Sequence, residues 1–228
     1  HFSVLRARQL LTYLKDPEVR VFLGVLFSIS VVALVVLTLA HTYNDPAATF
    51  WHGIFQVVSI ATTTGYTTTG FHWWPSFLPI MLILMSAVGG CAGSTAGGMK
   101  IIRAILIYKQ GRRESAQLIH PNALIPIKLG GKPVPESVID AVWGFFALYT
   151  LSYVILALAM TATGVDLVTA FSAVTACLNN LGPGLGAVAE NYAGISASGK
   201  WILCVSMLLG RLEIFTLLVL LTPTFWRA

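Results

Sequence analysis

The sequence predicts an all-α integral membrane protein in which the order helix, re-entrant segment, helix occurs twice. Of its 228 residues, 56% are hydrophobic and only 10% are charged, whereas about a quarter of the residues in soluble domains are charged. The mean hydropathy is +0.79. The net charge of +5 comes from Lys and Arg placed beside apolar segments, which indicates membrane orientation and argues against nucleic-acid binding.

Four apolar segments are long enough to cross a bilayer, which requires about 20 residues of helix. They comprise residues 22–40, 76–99, 141–165 and 201–226, and only the last contains charges, Arg211 and Glu213. Two shorter segments, residues 47–64 and 167–181, are predicted to be re-entrant. Irregular backbone at membrane depth requires a cavity or surrounding protein. An amphipathic helix lying on the membrane surface is the alternative for each of the two.

The distribution of basic residues predicts the orientation. All Lys and Arg except Lys200 and Arg211 lie before the first span, between the second and third, or after the fourth. The positive-inside rule therefore places both termini in the cytoplasm, so that the re-entrant segments enter from the outer face. The chain begins at His1 without a signal-peptide pattern, which suggests a segment of a longer protein.

An internal duplication divides the chain into two units, residues 1–116 and 117–228. The order of spans repeats, and the ends of the two re-entrant segments match at a spacing of 117 residues. The matched residues are Thr63, Thr64, Gly65, Tyr66 and Thr67 with Asn180, Leu181, Gly182, Pro183 and Gly184.

The chemistry of these two ends suits a dehydrated cation. Backbone carbonyl oxygens at membrane depth have no partner in the lipid, and a cation supplies one. Gly65 and Gly182 allow the left-handed conformations that align successive carbonyls, and the preceding helices direct their partially negative ends at the ion. Oxygen ligands favour a hard cation over zinc or copper.

Three motifs, ATTTGYTTTGF, CLNNLGPGLG and GGCAGSTAGGMK, resemble the Trk/Ktr/HKT superfamily of potassium transporters, most closely its TrkH-type membrane subunits. The resemblance covers essentially the whole chain. It implies four helix–pore loop–helix units, resembling potassium channel units, around one pore, of which this chain would be the third and fourth. The chain departs from the family by lacking the first two units, so it alone forms half of a filter. The expected filter residues are Thr62, Thr63, Thr64, Gly65 and Tyr66 in the first unit and Asn179, Asn180, Leu181 and Gly182 in the second.

The second apolar span contains a glycine-rich stretch that predicts an intramembrane loop. Each glycine costs a helix about 1 kcal/mol relative to alanine. The resemblance places the family's gate here, below the filter; close helix packing through small residues is the alternative. The expected gate residues are Gly89, Gly90, Gly93, Ser94, Thr95, Gly97 and Gly98, together with Arg211.

Arg211 and Glu213 are two ionisable residues inside an apolar span, where placing a charge costs free energy. Because they are two residues apart, they point about 200° away from each other on a helix and should not pair directly. The resemblance implies that Arg211 projects into the permeation path. The alternative is a structural role, in which Arg211 holds carboxylates or helix ends.

The connection between the units, residues 108–140, is predicted to contain a short hairpin around Gly130 and Gly131. The resemblance implies a cytosolic nucleotide-binding regulatory ring as its partner; anionic lipid headgroups are the alternative. Further expected partners are the two remaining pore units, a second copy in a homodimer and the lipid of the cell inner membrane. His41, His52 and His72 show no metal-ligand spacing, and Cys91, Cys177 and Cys204 predict no disulfide.

The function that follows is passive potassium uptake, with K⁺ as the transported ion and no organic cofactor. The sequence contains no catalytic triad, phosphate loop or metal motif, so we do not expect an enzyme. A nonconducting membrane docking subunit and a cation-coupled symporter remain as alternatives.

Overall fold

The computed structural model describes residues 16–75, 77–94 and 96–212. In these ranges the chain is mainly helical, as predicted, with one short antiparallel hairpin of β1 (Lys128–Leu129) and β2 (Lys132–Pro133). The helices are α1 (Pro17–Leu39), α2 (Pro46–Ala61), α3 (Phe77–Ser86), α4 (Ile101–Ile119), α5 (Glu136–Thr161), α6 (Leu167–Leu178) and α7 (Ala197–Arg211). Single 3₁₀ turns occupy Phe71–Trp73 and Gly186–Val188.

Helices α1 and α5 are long and apolar enough to cross a membrane, with 23 and 26 residues. Large apolar side chains face outward on both: Phe27 is 70% exposed and Leu158 63%. Both helices begin five residues earlier than the apolar segments suggest. The added first turns are polar, and acidic side chains stabilise the N-terminal ends of both helices. Asp16 caps α1 by accepting a 2.9 Å hydrogen bond from the Glu18 amide, and Glu136 is the first residue of α5.

The apolar segment 76–99 is not one helix. Helix α3 ends at Ser86, and α4 begins only at Ile101. We call the connecting residues 87–94 and 96–100 the glycine-rich loop; Ser76 and Thr95 lie outside the described residues. The loop is closed by two backbone hydrogen bonds, from Met99 N to Ala87 O (2.8 Å) and from Ile101 N to Gly90 O (3.1 Å). Helix α3 has 10 residues and is about 15 Å long, half the thickness of a bilayer core.

Helices α2 and α6 are too short to span a membrane, with 16 and 12 residues. Each begins after an aspartate whose carboxylate caps the helix: Asp45 accepts from Ala47 N, and Asp166 from Thr169 N, both at 3.0 Å. Hydrogen bonds from Thr169 hold the pKa of Asp166 below its usual value. Helix α6 is enclosed by protein, with Ala170, Ala173, Val174 and Leu178 fully buried, so it does not lie on a surface.

Helix α7 packs directly against the end of α6. A Cβ atom on Gly210 would lie 1.8 Å from the carbonyl oxygen of Leu178, so the two backbones touch there. Helix α7 begins at Ala197, four residues before the predicted start, because Ser196 caps it by accepting a hydrogen bond from Gly199 N (3.2 Å). Residues 213–226 of the predicted span lie outside the described residues.

The predicted hairpin between the units is present. Lys128 pairs with Pro133 and Leu129 with Lys132. Gly130 and Gly131 both have positive φ, 57° and 84°, as a two-residue hairpin turn requires. The hairpin is attached to α4, because Lys109 Nζ donates to the Lys128 carbonyl at 2.5 Å.

Replacement of Gly210 by alanine tests the contact between α6 and α7. The added methyl group has no room beside the Leu178 carbonyl, and overpacking costs about 1–3 kcal/mol. We expect a lower thermal unfolding midpoint in detergent. Gly24→Ala in α1 is the control, because no atom of the described chain lies within 4 Å of the position that its added methyl group would occupy. Equal midpoints for the two variants would contradict the contact.

Candidate functional site

Two short backbone segments leave the C-terminal ends of α2 and α6 with matching geometry. Three hydrogen bonds recur at a spacing of 117 residues and with equal lengths of 3.0, 3.0 and 2.8 Å. In the first segment they join Thr62 N to Val58 O, Thr63 N to Ile60 O and Thr64 N to Ser59 O; in the second they join Asn179 N to Thr175 O, Asn180 N to Cys177 O and Leu181 N to Ala176 O. We call residues 62–66 and 179–182 the first and second filter segments.

Backbone conformation repeats at the same spacing. Thr63 and Asn180 have φ values of 55° and 53°, and Gly65 and Gly182 have φ values of 82° and 105°. A left-handed conformation is unusual for a β-branched residue such as threonine, and strain of this kind is concentrated at functional sites. The alternation of left-handed residues turns each chain sharply away from its helix.

The carbonyl oxygens of both segments carry few hydrogen bonds from protein, although those of Asn179 and Leu181 lie against the backbones of Gly97 and Gly65. In the described part of the chain, no hydrogen bond ends on the carbonyl oxygens of residues 62–65 or of residues 179–181. Two neighbouring carbonyls differ. The Tyr66 oxygen accepts from Ser59 Oγ at 2.6 Å, and the Gly182 oxygen accepts from the Tyr192 hydroxyl at 2.6 Å. The carbonyl oxygens of Tyr66 and Gly182 therefore already accept hydrogen bonds from protein side chains.

The two filter segments touch each other. A Cβ atom on Gly65 would lie 2.0 Å from the Leu181 carbonyl oxygen, which leaves room only for glycine. Around Gly182 no atom of the described chain lies within 4 Å of the corresponding Cβ position. The matched glycines therefore differ: Gly65 serves both conformation and close approach, and Gly182 serves conformation.

The glycine-rich loop lies against the second filter segment. A Cβ atom on Gly97 would lie 2.0 Å from the Asn179 carbonyl oxygen, and one on Gly98 would lie 3.1 Å from Asn179 Oδ1. The Asn179 side chain is fully buried and is fixed on both sides. Its Nδ2 donates to Ser86 Oγ at 2.8 Å, and its Oδ1 accepts from the Tyr149 hydroxyl at 2.6 Å. Asn179 thus joins filter segment, loop and α5.

The other expected gate residues lie on the same loop, with two further attachments. Ser94 N donates to Cys91 O at 3.0 Å, and the Glu18 carboxylate of α1 accepts from Ala92 N at 2.5 Å. The loop therefore reaches from the second filter segment to the start of α1. Gly89 and Gly90 precede these attachments and Gly93 lies between them, whereas Thr95 is outside the described residues.

Arg211 ends α7 directly after Gly210, the residue that touches Leu178 at the C-terminus of α6. Asn180 Nδ2 also approaches this helix end, with the Met207 carbonyl as acceptor at 3.4 Å. Arg211 is exposed, and its place in the chain puts it close to the helix end that precedes the second filter segment. Glu213 lies outside the described residues, so its predicted separation from Arg211 stays a prediction.

Several residues at the site were missed by the sequence analysis. His52 has no ligand role in the sequence-based prediction, yet its Nδ1 lies 3.1 Å from Thr68 Oγ1. Ser59, Ser86, Tyr149 and Tyr192 were not singled out at all. A signal existed for α2: its polar residues His52, Gln56 and Ser59 are spaced i, i+4 and i+7 and share one face of an otherwise apolar helix.

No group of three or more His, Cys, Asp or Glu side chains with metal-binding geometry occurs among the described residues. Cys91, Cys177 and Cys204 are free thiols in the described part of the chain. Oxygen donors of the backbone are the ligands that the filter segments offer.

Comparison with known proteins gives matches along the whole chain. The family described as TrkH, cation transport protein, matches residues 1–227. The Trk system potassium uptake protein TrkH of Escherichia coli strain K12 is 52% identical over 227 residues, which cover 100% of this chain and 47% of that protein. TrkG of the same strain, also described as a Trk system potassium uptake protein, is 36% identical over 228 residues, again 47% of its length.

A solved structure agrees with the fold. The crystal structure of the potassium transporter TrkH from Vibrio parahaemolyticus superposes with a TM-score of 0.90 at 54% sequence identity, covering 96% of this chain and 47% of that one. The chain thus spans about half the length of the curated relatives that it matches. From the family match, which extends over residues 1–227, we conclude that this chain belongs to the TrkH family of cation transport proteins.

Proposed function

We propose that this chain supplies half of a pore through which potassium enters the cell passively, with the two filter segments as its share of the selectivity filter. One observation carries the proposal. The carbonyl oxygens of residues 62–65 and 179–181 accept no hydrogen bond within the described chain. They lie where two backbone segments touch, and a dehydrated cation is the partner that such oxygens accept at membrane depth.

Electrostatics supports the same proposal. Helices α2 and α6 end directly before the filter segments, so that each directs the partial negative charge of its C-terminus at the ligands. Neither helix has a basic residue in its last turn. A monovalent hard cation is stabilised by both helix ends without any charged ligand.

We further propose that residues 1–116 and 117–228 are two pore units of one ancestral type. The support is the recurrence, 117 residues apart, of three hydrogen bonds and two left-handed residues. Helix order agrees with this division, since α1–α2–α3 and α5–α6–α7 each bring a short helix between two others.

The assembly around these units is part of the proposal. The chain covers 47% of the E. coli relative, and two units provide half of a closed ring of ligands, so we infer two further units and a second copy in a homodimer. We place both termini of the segment on the cytoplasmic side of the inner membrane. The connection between the units would then dock the cytosolic nucleotide-binding ring, for which exposed Leu118 and Leu124, 85% and 96% accessible, offer apolar contacts.

The glycine-rich loop and Arg211 are proposed as the gate. The loop begins at the end of α3 and lies on Asn179, so its displacement changes the space next to the second filter segment. Arg211 brings a positive charge near the end of α6. Both features would hinder a cation that has passed the filter.

The deciding experiment is potassium flux into proteoliposomes that contain the complete protein of which this chain is part. We expect uptake that follows the potassium gradient and needs no sodium or proton gradient. Dependence on either gradient would favour the cation-coupled symporter. Absence of flux from folded protein, with binding of a cytosolic partner retained, would favour the docking subunit.

The two filter glycines should respond differently to substitution. Gly65→Ser and Gly182→Ser both strain a left-handed backbone by about 1–2 kcal/mol, but only Gly65→Ser also meets the Leu181 carbonyl. We expect the permeability ratio of potassium to sodium to fall in both, by roughly tenfold or more in Gly65→Ser. Bi-ionic reversal potentials measure the ratio. Parental ratios in both variants would refute the filter assignment.

Gly97→Ala tests the loop as an obstruction. The new methyl group cannot fit beside the Asn179 carbonyl, so the loop must move, at a cost of about 1–3 kcal/mol. We expect flux per folded molecule to rise. Gly24→Ala in α1 is the control, since Gly24, like Gly97, does not have a positive φ, and it has no neighbour within 4 Å in the described chain. Equal flux in the two variants would indicate that the glycine-rich loop serves packing and does not obstruct the path of the ion.

Arg211 is tested by comparing Arg211→Ala with Arg211→Lys. A fixed positive charge near the path raises the barrier for a cation, and a barrier lower by about 1 kcal/mol increases the rate roughly fivefold. We expect faster potassium flux in the alanine variant and near-parental flux in the lysine variant, each normalised to folded protein. Similar flux in the two variants, or slower flux with alanine, would show that Arg211 is not a charge barrier.

A further inference from the structure

The chain that follows the first filter segment is held by side chains of α2 and of the connection between α1 and α2. Beyond Tyr66, whose carbonyl is bound by Ser59, the run of threonines at residues 67–69 leads to the 3₁₀ turn at Phe71–Trp73. His52 of α2 lies 3.1 Å from Thr68 Oγ1, and the Tyr43 hydroxyl donates to Thr69 Oγ1 at 3.3 Å. Thr68 and Thr69 therefore cannot move independently of these two rings.

The rings themselves are fixed. The indole Nε1 of Trp74 donates to the Tyr43 hydroxyl oxygen at 3.0 Å, and Trp74 is only 4% exposed. The rings of Tyr43 and His52 stack with centroids 5.3 Å apart and an interplanar angle of 28°. We call Tyr43, His52 and Trp74 the aromatic clamp.

The protons that each group can supply determine which atom donates in each hydrogen bond of the aromatic clamp. An indole N–H can only donate, so it occupies the Tyr43 oxygen as an acceptor and leaves the tyrosine proton for Thr69. The hydroxyl of Tyr43 thus connects a buried tryptophan to a threonine in the segment that leaves the filter. Its removal deletes both hydrogen bonds at once.

The second filter segment is held by different chemistry. Ser172 accepts from Leu185 N at 2.9 Å, Thr169 Oγ1 accepts from Ala187 N at 3.0 Å, and Tyr192 donates to Gly182 O. Thr169 stands 117 residues after His52, so the same pore-helix position supports the outgoing chain in both halves. In the second half, Thr169 at this position binds the backbone amide of Ala187. In the first half, His52 binds the side chain of Thr68 through a ring that stacks on Tyr43.

We propose that the aromatic clamp is a positioning set for ion selectivity, acting through Thr68 and Thr69 on the carbonyl array of the first filter segment. This inference rests on the proposed function, because it presumes that the ion passes that array. Small displacements of ligating carbonyls change the relative stabilisation of a larger and a smaller cation. The aromatic clamp limits such displacements from the outer end of the segment, while Gly65 and Leu181 limit them at the contact between segments.

The test uses Tyr43→Phe in the complete protein, reconstituted in liposomes. We expect the permeability ratio of potassium to sodium to fall by about 2- to 10-fold, the range that corresponds to the net contribution of one hydrogen bond. Thr38→Val is the control: it removes a hydroxyl group from an exposed residue of α1 that donates to the Leu34 carbonyl of its own helix at 2.7 Å, and its ratio should equal that of the parent.

A double-mutant cycle separates positioning from general destabilisation. Thr69→Val removes the acceptor of the Tyr43 hydroxyl and should lower the ratio on its own. Because both variants break the same bond, the double variant should be no worse than Tyr43→Phe alone, whereas independent effects would multiply. Should Tyr43→Phe yield no folded protein, Thr69→Val decides alone, with a parental ratio counting against the aromatic clamp.

The outcomes distinguish this inference from the proposed function. A selective parent whose ratio collapses in Gly65→Ser but is unchanged in Tyr43→Phe and Thr69→Val overturns the aromatic clamp and leaves the filter standing. A parent without potassium selectivity overturns both. Multiplicative losses in the double variant also overturn the aromatic clamp, because they show that the two residues act through separate contacts.

Discussion

Backbone contact at the C-terminal end of α6 is the constraint around which the described structure is arranged. Three glycines from three different elements approach three carbonyls within four residues of that end: Gly210 of α7 touches the Leu178 carbonyl, Gly97 of the glycine-rich loop touches that of Asn179, and Gly65 touches that of Leu181. Side chains are excluded from all three contacts. The carbonyls are consequently held by backbone, which is stiffer than side-chain packing because it adds no rotamer freedom.

This arrangement explains why a strained conformation persists next to a helix end. Left-handed Thr63 and Asn180 cost free energy that surrounding contacts must outweigh. Buried residues supply those contacts: Val57 and Ile60 pack with Leu181 in one hydrophobic cluster, and Val174 and Leu178 pack in a second. Leu181 of the second filter segment belongs to the first cluster, and Leu178, which ends α6 just before that segment, belongs to the second. The free energy of folding and the backbone geometry of this segment therefore depend on the same buried residues.

Much of this organisation could be predicted from the sequence, and the reasons are local. The lengths of the apolar segments predicted which helices are long and which are short. The density of glycine at residues 89–98 predicted the interruption that follows α3, which ends at Ser86. The 117-residue spacing predicted which residues share a conformation, because backbone preference at Gly65 and Gly182 is a local property. The starts of α1, α5 and α7 were misplaced by four or five residues, since polar capping turns lie outside an apolar window. Tertiary hydrogen bonds could not be predicted in this way: nothing in the chain indicates that the Asn179 amide joins Ser86, 93 residues away, to Tyr149. Long-range pairing of this kind depends on the fold as a whole, whereas turns and caps depend on neighbours in sequence.

The comparison of the two halves separates what the filter requires from how it is supported. The hydrogen bonds that end α2 and α6 are the same in type and length, although the residues at the matched positions, threonines on one side and asparagine and leucine on the other, share no side-chain chemistry. The side chains that support the chain after each filter segment differ at matched positions, with stacked rings in one half and the hydroxyls of Thr169 and Ser172 in the other. A ligand array made of backbone tolerates this divergence, because carbonyl position depends on φ and ψ and not on which side chains enforce them. The two halves can therefore differ in their supporting side chains while their backbones keep the same conformation at the ends of α2 and α6.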